Sequence, residues 1–339
     1  MTGYTPTYGL PYPESTTPIT DSAAIVQELA EKIDATLDAV TAAEVSGATG
    51  AYTYDTANRS GWGVYTWTGS GTVTLSRAGF VDLCLVAGGG GGGQQAGNGF
   101  PSGGGGGGGM LERNSYYLPA GTYTVTIGAG GAQNYGGGPT KLTLADNSVE
   151  LVAYGGGYGG GFLYQMTRNP GTYYYNETTH HSRGEDGGSG GGMRGAITSL
   201  GSHGRPGYGN CNGLTTGQGN NGGGWPGSSI YGSGGGGGAG GPGGTPTSAN
   251  TGMYGGPGRY TSISGISTPY AGGGGGAHQN SEYALAEAAG GVGGGGQGAG
   301  NGGWTFNATA NTGGGGGGRY NLHTAGQGGS GIAILAVAL

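Results

Sequence analysis

Ninety-six of the 339 residues are glycine, gathered into uninterrupted runs at Gly88–Gly93, Gly103–Gly109, Gly234–Gly238, Gly272–Gly276, Gly293–Gly296 and Gly313–Gly318. Such a run has no side chain to bury and loses more backbone entropy on ordering than any other sequence, so alone it stays unfolded. It can be ordered as an extended threefold helix rising about 3.1 Å per residue, bonded sideways to identical neighbours that come close because no Cβ intervenes. Segments rich in Val, Leu, Ile and aromatic residues bracket the runs, and the runs are numerous enough to form such a layer.

The rest of the composition narrows the choice. Only 8% of residues are charged, the net charge is −6, and lysine occurs only at Lys32 and Lys141. Nucleic acid is therefore not an expected partner, since phosphate binding needs a basic surface. Twenty-three Tyr and four Trp argue against a flexible linker, and no strict Gly-X-Y period supports collagen. Cys84 and Cys211 are a conceivable disulfide, but Cys84 lies in an apolar strand pattern and suits the role of a small hydrophobe. The first twenty residues lack the features of a secretory leader, and no window approaches the roughly 20 apolar residues of a membrane span.

Four zones separate along the chain. Residues 1–20 carry four prolines among the anchors Tyr4, Tyr8, Leu10 and Tyr12, and read as an extended docking arm. In residues 21–45, Val26, Leu29, Ile33, Leu37 and Val40 recur at spacings of three and four, which predicts an amphipathic helix capped by Thr20 or Asp21 and ending before Gly47. With nothing helical nearby to pack on, its stripe suits a trimeric coiled coil, a core helix of a monomer being the alternative. Residues 46–154 read as a β scaffold, with strands at 62–67, 72–75, 80–86, 122–127, 140–144 and 149–153. Gly69-Ser70-Gly71 and Ala145 to Ser148 are expected hairpin turns, with Pro119-Ala120-Gly121 before another strand. The apolar tail 331–339 should return to this scaffold and complete a sandwich-like, mainly β domain. Residues 155–330 are then a glycine-rich excursion carrying loops, with a short helix expected near 281–289.

The opening YTPTYGLPYPESTTPITDSAAIVQELAEKID is similar to the N-terminal segment of minor tail proteins and tail fibres from phages of actinobacteria. FVDLCLVAGGGGGG, PAGTYTVTIGAGG, GGPTKLTL and the closing GGSGIAILAV resemble the glycine-rich domain at the C-terminus of phage tail fibres. The resemblance covers nearly the whole chain. It implies a homotrimeric protein of the virion, at the tail fibre or tail tip, whose distal domain touches the host, and it agrees with polyglycine II packing of the runs.

Enzymatic chemistry finds little support. The G-x-G-x-x-G matches are inevitable in such a chain, and no run is followed by Lys-Ser or Lys-Thr. His180, His181, Glu185 and Asp186 form the densest group of metal-ligand types, but lack the spacing that fixes a site. Glu185 and Asp186, adjacent in sequence, are poorly placed to flank one glycosidic bond. The aromatic content points to binding: Tyr173, Tyr174, Tyr175, Tyr254, Tyr260, Tyr270, Trp304 and Tyr320, with His180, His181, Arg183 and Arg259, set rigid rings beside polar donors in the insertions. The alternative for these rings is packing across bare glycine layers.

The leading expectation is a non-enzymatic, cofactor-free receptor-binding protein recognising a bacterial surface glycan and joined to other tail proteins through residues 1–20. A structural tail-tip protein, an ice-binding-like polyglycine protein and a glycan depolymerase are the other readings. The ice-binding reading calls for a flat Thr- or Ala-lined face, and the depolymerase for well-separated acids in a groove.

Overall fold

The computed structural model describes residues 2–4, 11–13, 26–32, 42–94, 101–161, 183–195, 206–210, 217–224, 232–247, 253–278, 288–300, 306–320 and 324–339. In the N-terminal arm, β1 (Thr2–Tyr4) and β2 (Pro11–Pro13) form an antiparallel pair, with Tyr4 opposite Pro11 and Tyr12 opposite Gly3. A short helix follows, the single one among the described residues: α1 at residues 26–32, supported by the i,i+4 hydrogen bond from Gln27 Nε2 to Glu31 Oε1 at 3.0 Å.

The helix expected over 21–45 is corrected at its end. Ala42 bridges to Phe80, Ala43 is buried in the core, and β3 (Glu44–Asp55) has already begun, so Val45 and Gly47 belong to a strand. Val45, Thr49 and Thr53 of β3 favour the pleated edge of a sheet once the sheet exists to receive them. Among the described residues no coiled-coil helix is present; Ile33, Leu37 and Val40 lie outside them, as does 281–287 of the second expected helix.

The main body is one antiparallel sheet that nearly closes into a barrel. Its strands are β4 (Trp62–Arg77), β5 (Gly79–Val86), β6 (Met110–Leu118), β7 (Gly121–Thr126), β8 (Thr140–Leu144), β9 (Glu150–Ala153) and β12 (Ile332–Ala338). The order is β6-β5-β12-β4-β7-β8-β9, with β3 along the other side of β4. β4 is long enough to serve both halves: its Trp62–Trp67 portion pairs with β12, and its Gly71–Leu75 portion with β7. Strands β6 and β9, at the two ends of the path, come back into contact. The C-terminal run therefore completes the scaffold as expected, and the sandwich-like arrangement is refined to a nearly closed barrel.

Gly69-Ser70-Gly71 is not a hairpin turn. It lies inside β4, where the ribbon of β3 and β4 crosses from one half of the barrel to the other. There the strands meet without side chains: Gly50 has φ +89, and a Cβ on Gly71 would stand 2.1 Å from the Thr49 carbonyl oxygen. The 145–148 turn forms as expected, with Asn147 at φ 61 and Asp146 Oδ1 accepting from the Ser148 amide at 2.9 Å.

Two apolar clusters flank the β6-β5-β12 half. Trp67, Leu83, Tyr123, Leu142 and Leu335 fill the interior, while Cys84, Val86, Met110 and Ile334 face outward. Ile263, Tyr270 and Ala271 cover that outer face, brought there by the hairpin of β10 (Arg259–Thr261) and β11 (Thr268–Tyr270). Cys84 is a free thiol, and burial holds it protonated; Cys211 lies outside the described residues.

Past the barrel the same strands run on as glycine. β5 continues into 88–93, β9 into 154–161, and 103–109, 135–139 and 326–331 lead into β6, β8 and β12. Hydrogen bonding there changes from a ladder to a period of three. Gly103, Gly106 and Gly109 donate to Gly160, Gly157 and Tyr154; Gly104 and Gly107 to Gly234 and Gly237; Gly105 and Gly108 to Gly316 and Gly313. Counting acceptors as well, 103–109 bonds to six surrounding segments, the others being 87–93, 189–192 and the run containing Gly274. Close approach is obligatory: a Cβ on Gly236 would lie 1.9 Å from the Gly105 carbonyl oxygen.

Side chains act at the junction. Thr140, fully buried, donates from Oγ1 to the Val86 carbonyl at 2.8 Å and accepts from the Gly128 amide at 3.0 Å. Gln218 closes the seam between β6 and β9: its carbonyl accepts from Met110 N at 3.0 Å, and its side chain bonds Val152 O at 2.8 Å and Tyr154 N at 3.1 Å.

Candidate functional site

The segments of the bundle run alternately away from the barrel and back, so its two ends differ. At the barrel end, Ala87 donates to Gly109 at 3.0 Å and Ala239 to Ala271 at 2.9 Å. At the far end, Gly93 donates to Gly103 at 3.0 Å, Ser233 to Ala277 at 3.0 Å and Ala299 to Gly318 at 2.9 Å. Residues 94, 161, 195, 224, 247, 278, 300 and 320, the last described before a connecting segment, all lie at the far end. Rooted at the barrel end are the segment after Asn210, which donates to Gly188, the turn at 240–242, and the β10–β11 insertion between Gly258 and Ala271. A frame of parallel rods is a natural platform for recognition at its far end, because the frame fixes where each connection is rooted.

The far end is tied together by the few residues that interrupt the glycine pattern. Ser233 Oγ donates to the Ser102 carbonyl at 2.6 Å and the Ala277 carbonyl at 2.9 Å. Ser102 Oγ donates to the Gly93 carbonyl and accepts from the Arg319 amide at 2.7 Å. Tyr320 packs with Ala277 and Ala299, and His278 and Arg194 are also buried here. Arg194 Nε donates to the Gly195 carbonyl at 3.1 Å, and desolvation pulls the pKa of Arg194 and of Arg319 below the usual guanidinium value. Twelve of the seventeen acids precede residue 160, whereas all five histidines follow it, so the half that carries these connections has no excess of acid.

The expected contact residues divide. Tyr173, Tyr174, Tyr175, His180, His181 and Trp304 lie outside the described residues, but each belongs to a segment rooted at the far end. Tyr254 is 55% exposed beside Gly244. Arg183 is half-buried and pairs with Asp186 at 3.4 Å. Arg259, Tyr260 and Tyr270 are elsewhere, because their hairpin folds back over the barrel, where Arg59 Nη1 donates to Ile263 O at 3.3 Å. Arg259 is engaged by the scaffold, donating to Gly217 O at 2.7 Å and Met110 O at 2.6 Å. Tyr270 and Tyr320 are buried and act as packing, the alternative role for such rings; Tyr260 remains exposed on the barrel flank. In the N-terminal zone, Tyr4 and Tyr12 lie in β1 and β2, Tyr8 and Leu10 lie outside the described residues, and Val26 is 64% exposed on α1.

The acidic neighbours are used structurally. Glu185 sinks its carboxyl against Gly136, where Oε2 accepts from the Tyr158 amide at 3.3 Å; burial pushes its pKa up to about 7. Asp186 Oδ1 accepts from the Tyr208 amide at 2.8 Å. Among the described residues, no group of three or more His, Cys, Asp or Glu could hold a metal ion. A polar cleft of about 280 Å³ lies along β6, lined by Met110 to Asn114, Gly217, Gln218 and Arg259.

Sequence reasoning missed Arg194, His278 and Arg319 as roots of the far end. The available signal was position: each lies one or two residues after an unbroken run or short glycine stretch. Among the described residues, no helix is long and apolar enough to cross a membrane. No curated protein matches the chain. A family model described as a glycine-rich domain matches residues 60–338, from the turn before β4 through β12. That span takes in the barrel from β4 onward and every glycine run, and on it the chain belongs to the glycine-rich domain family.

Proposed function

We propose that this chain is a phage tail fibre or minor tail protein that attaches the virion to a bacterial surface glycan, without catalysis, through the far end of its glycine bundle. The observation that carries the reading is that eight connections, those following residues 94, 161, 195, 224, 247, 278, 300 and 320, are rooted side by side at the end of the bundle away from the barrel. Residues 1–20 join other tail proteins, and the chain works as a parallel homotrimer begun by residues 21–41, ahead of the point where the chain docks on the barrel. Support comes from the phage-like N-terminal sequence, the glycine-rich domain match and the exposed apolar position Val26. Leaving Val26 in water forfeits roughly 1.5–3 kcal/mol.

The test is adsorption of labelled full-length protein to actinobacterial cells, with extracted cell-wall glycan as competitor. Replacing Tyr174 and Trp304 together by Ala is expected to weaken adsorption by about tenfold or more, since each aromatic contact is worth around 0.5–1.5 kcal/mol. Tyr260→Ala, on the barrel flank, is the matched control and should bind normally. Unchanged adsorption of the Tyr174 and Trp304 variant, with glycan failing to compete, would place the receptor surface elsewhere.

A further inference from the structure

The barrel leaves two strand edges open, and they complement each other. β3 is paired with β4 alone, over twelve residues, and among the described residues no other strand covers its outer side. An isolated protein usually guards such an edge with lysine, proline or a short strand. β3 has neither residue, and its only charges are Glu44 and Asp55 at its ends. Its bulges fall between Glu44 and Gly47 and between Gly50 and Tyr52, so Tyr52 to Asp55 stays regular. Beside this stretch the rings of Tyr52 and Tyr54, 38% and 50% exposed, continue onto Tyr65 and Trp67 as an aromatic strip.

β6 is the terminal strand on the other side of the same half-barrel. Gln218 occupies the beginning of its edge at Met110, and beyond that point Glu112 to Asn114 line the polar cleft. Four antiparallel steps separate β6 from β3, so the two strands run in the same direction. A second copy pointing the same way can therefore lay its β3 beside β6. The strand brings only acids, and the exposed cationic side chain at the cleft is Arg113. Because the two edges differ, the contact is heterologous, and rotation about an axis parallel to the strands closes it into a ring.

We infer that copies of this chain associate by pairing β3 of one copy with β6 of the next. The inference rests on the homotrimer in the proposed function and names the surface that makes it.

The experiment measures the mass of the full chain by light scattering and, in the same sample, amide hydrogen exchange across 44–55 and 110–118. The expected result is three times 32.7 kDa, with outward-facing amides of both strands slowed on the order of a hundredfold relative to Thr53→Lys, a variant expected to lose the β3–β6 pairing. Thr53 is exposed and on the face opposite Tyr52 and Tyr54, so lysine there guards the edge without entering the core. A trimer whose β3 amides exchange at unprotected rates overturns the pairing and leaves the homotrimer standing. Protection of β3 without β6 overturns the choice of partner edge. A wild-type monomer overturns the homotrimer and the pairing together. Should Thr53→Lys fail to fold, protection in the wild-type protein, judged against its own exposed loops, still decides.

Discussion

The barrel and the glycine bundle share strands yet are held together by opposite means. In the barrel, facing layers stand about 10 Å apart, and Trp67, Leu83, Tyr123 and Leu142 fill the gap. A few residues further along the same strands the side chains stop, and the layers meet backbone to backbone, as where Gly88 donates to Gly138 at 3.0 Å. The first region is stabilised by burial, at roughly 25 cal/mol for each Å² of apolar surface. The second has hydrogen bonds worth about 0.5–1.5 kcal/mol net each, set against the high ordering entropy of glycine. Such a region stands only where interior groups are partnered and neighbours are already in place, and the barrel supplies those neighbours by delivering several strands in fixed order. A side-chain core can relax around a lost atom; a backbone lattice cannot make room for an added one.

The largest effect should come from breaking the lattice. Gly236→Val sets its Cβ against the Gly105 carbonyl and is expected to remove cooperative melting of the bundle in calorimetry, a loss above about 4 kcal/mol. Gly224→Ala, whose nearest neighbour would be 3.8 Å away, should leave the melting temperature almost unchanged; equal losses from both would show that the lattice is not tight. In the barrel, Trp67→Ala removes a fully buried indole whose Nε1 donates to Thr49 O at 3.0 Å. It should cost about 3–5 kcal/mol in denaturant unfolding. Because the strands are continuous, barrel and bundle should unfold together, and two separate transitions would divide them into independent units.

A smaller, pH-dependent effect belongs to Glu185. Its carboxyl titrates at about 7 when folded, against an ordinary value of 4.5, so the folded state holds the extra proton between those values. Stability should therefore be greatest below the unfolded pKa, fall as pH rises to about 7, and level off above it. Glu185→Gln should flatten the profile, removing about 3 kcal/mol of variation; an unchanged slope would assign it to another group. The smallest effect is expected at the junction, where Thr140→Val leaves the Gly128 amide without its acceptor. It should cost about 1–2 kcal/mol, seen as faster amide exchange at Gly128.

Much of the barrel was legible because its signals are local. Alternating and β-branched residues marked the strands near Phe80–Val86, Thr122–Ile127 and Thr140–Leu144, and the apolar tail 331–339 had to be buried somewhere. β3 escaped notice because its exposed, small-residue sequence makes sense only beside β4. β6 escaped because Glu112, Arg113 and Asn114 lie on an edge, where polarity is tolerated. Gly69-Ser70-Gly71 reads as a turn locally and serves as a crossing point only because Gly50 lies opposite. For the candidate site, composition could pick out tyrosines in insertions but not tell an exposed ring from a packed one. Tyr254 and Tyr270 are sixteen residues apart, and one faces solvent while the other packs from β11 onto the outer face of the barrel.

The period-three bonding of the glycine runs gives them a property that no side-chain core has. Moving a run along its axis by three residues returns every lateral bond to an equivalent partner, so the lattice itself sets no register. Register comes from the stops at either end: Ala87 and Tyr154 by the barrel, and Ser102, Ser233 and Tyr320 at the far side. Three glycines added within one run would carry its outer stop, and whatever segment is rooted there, outward by about 9 Å while the rungs nearer the barrel stay as they were. The frame is thus graduated like a ruler, and the reach of each connection can be altered in whole steps without redesigning anything beneath it.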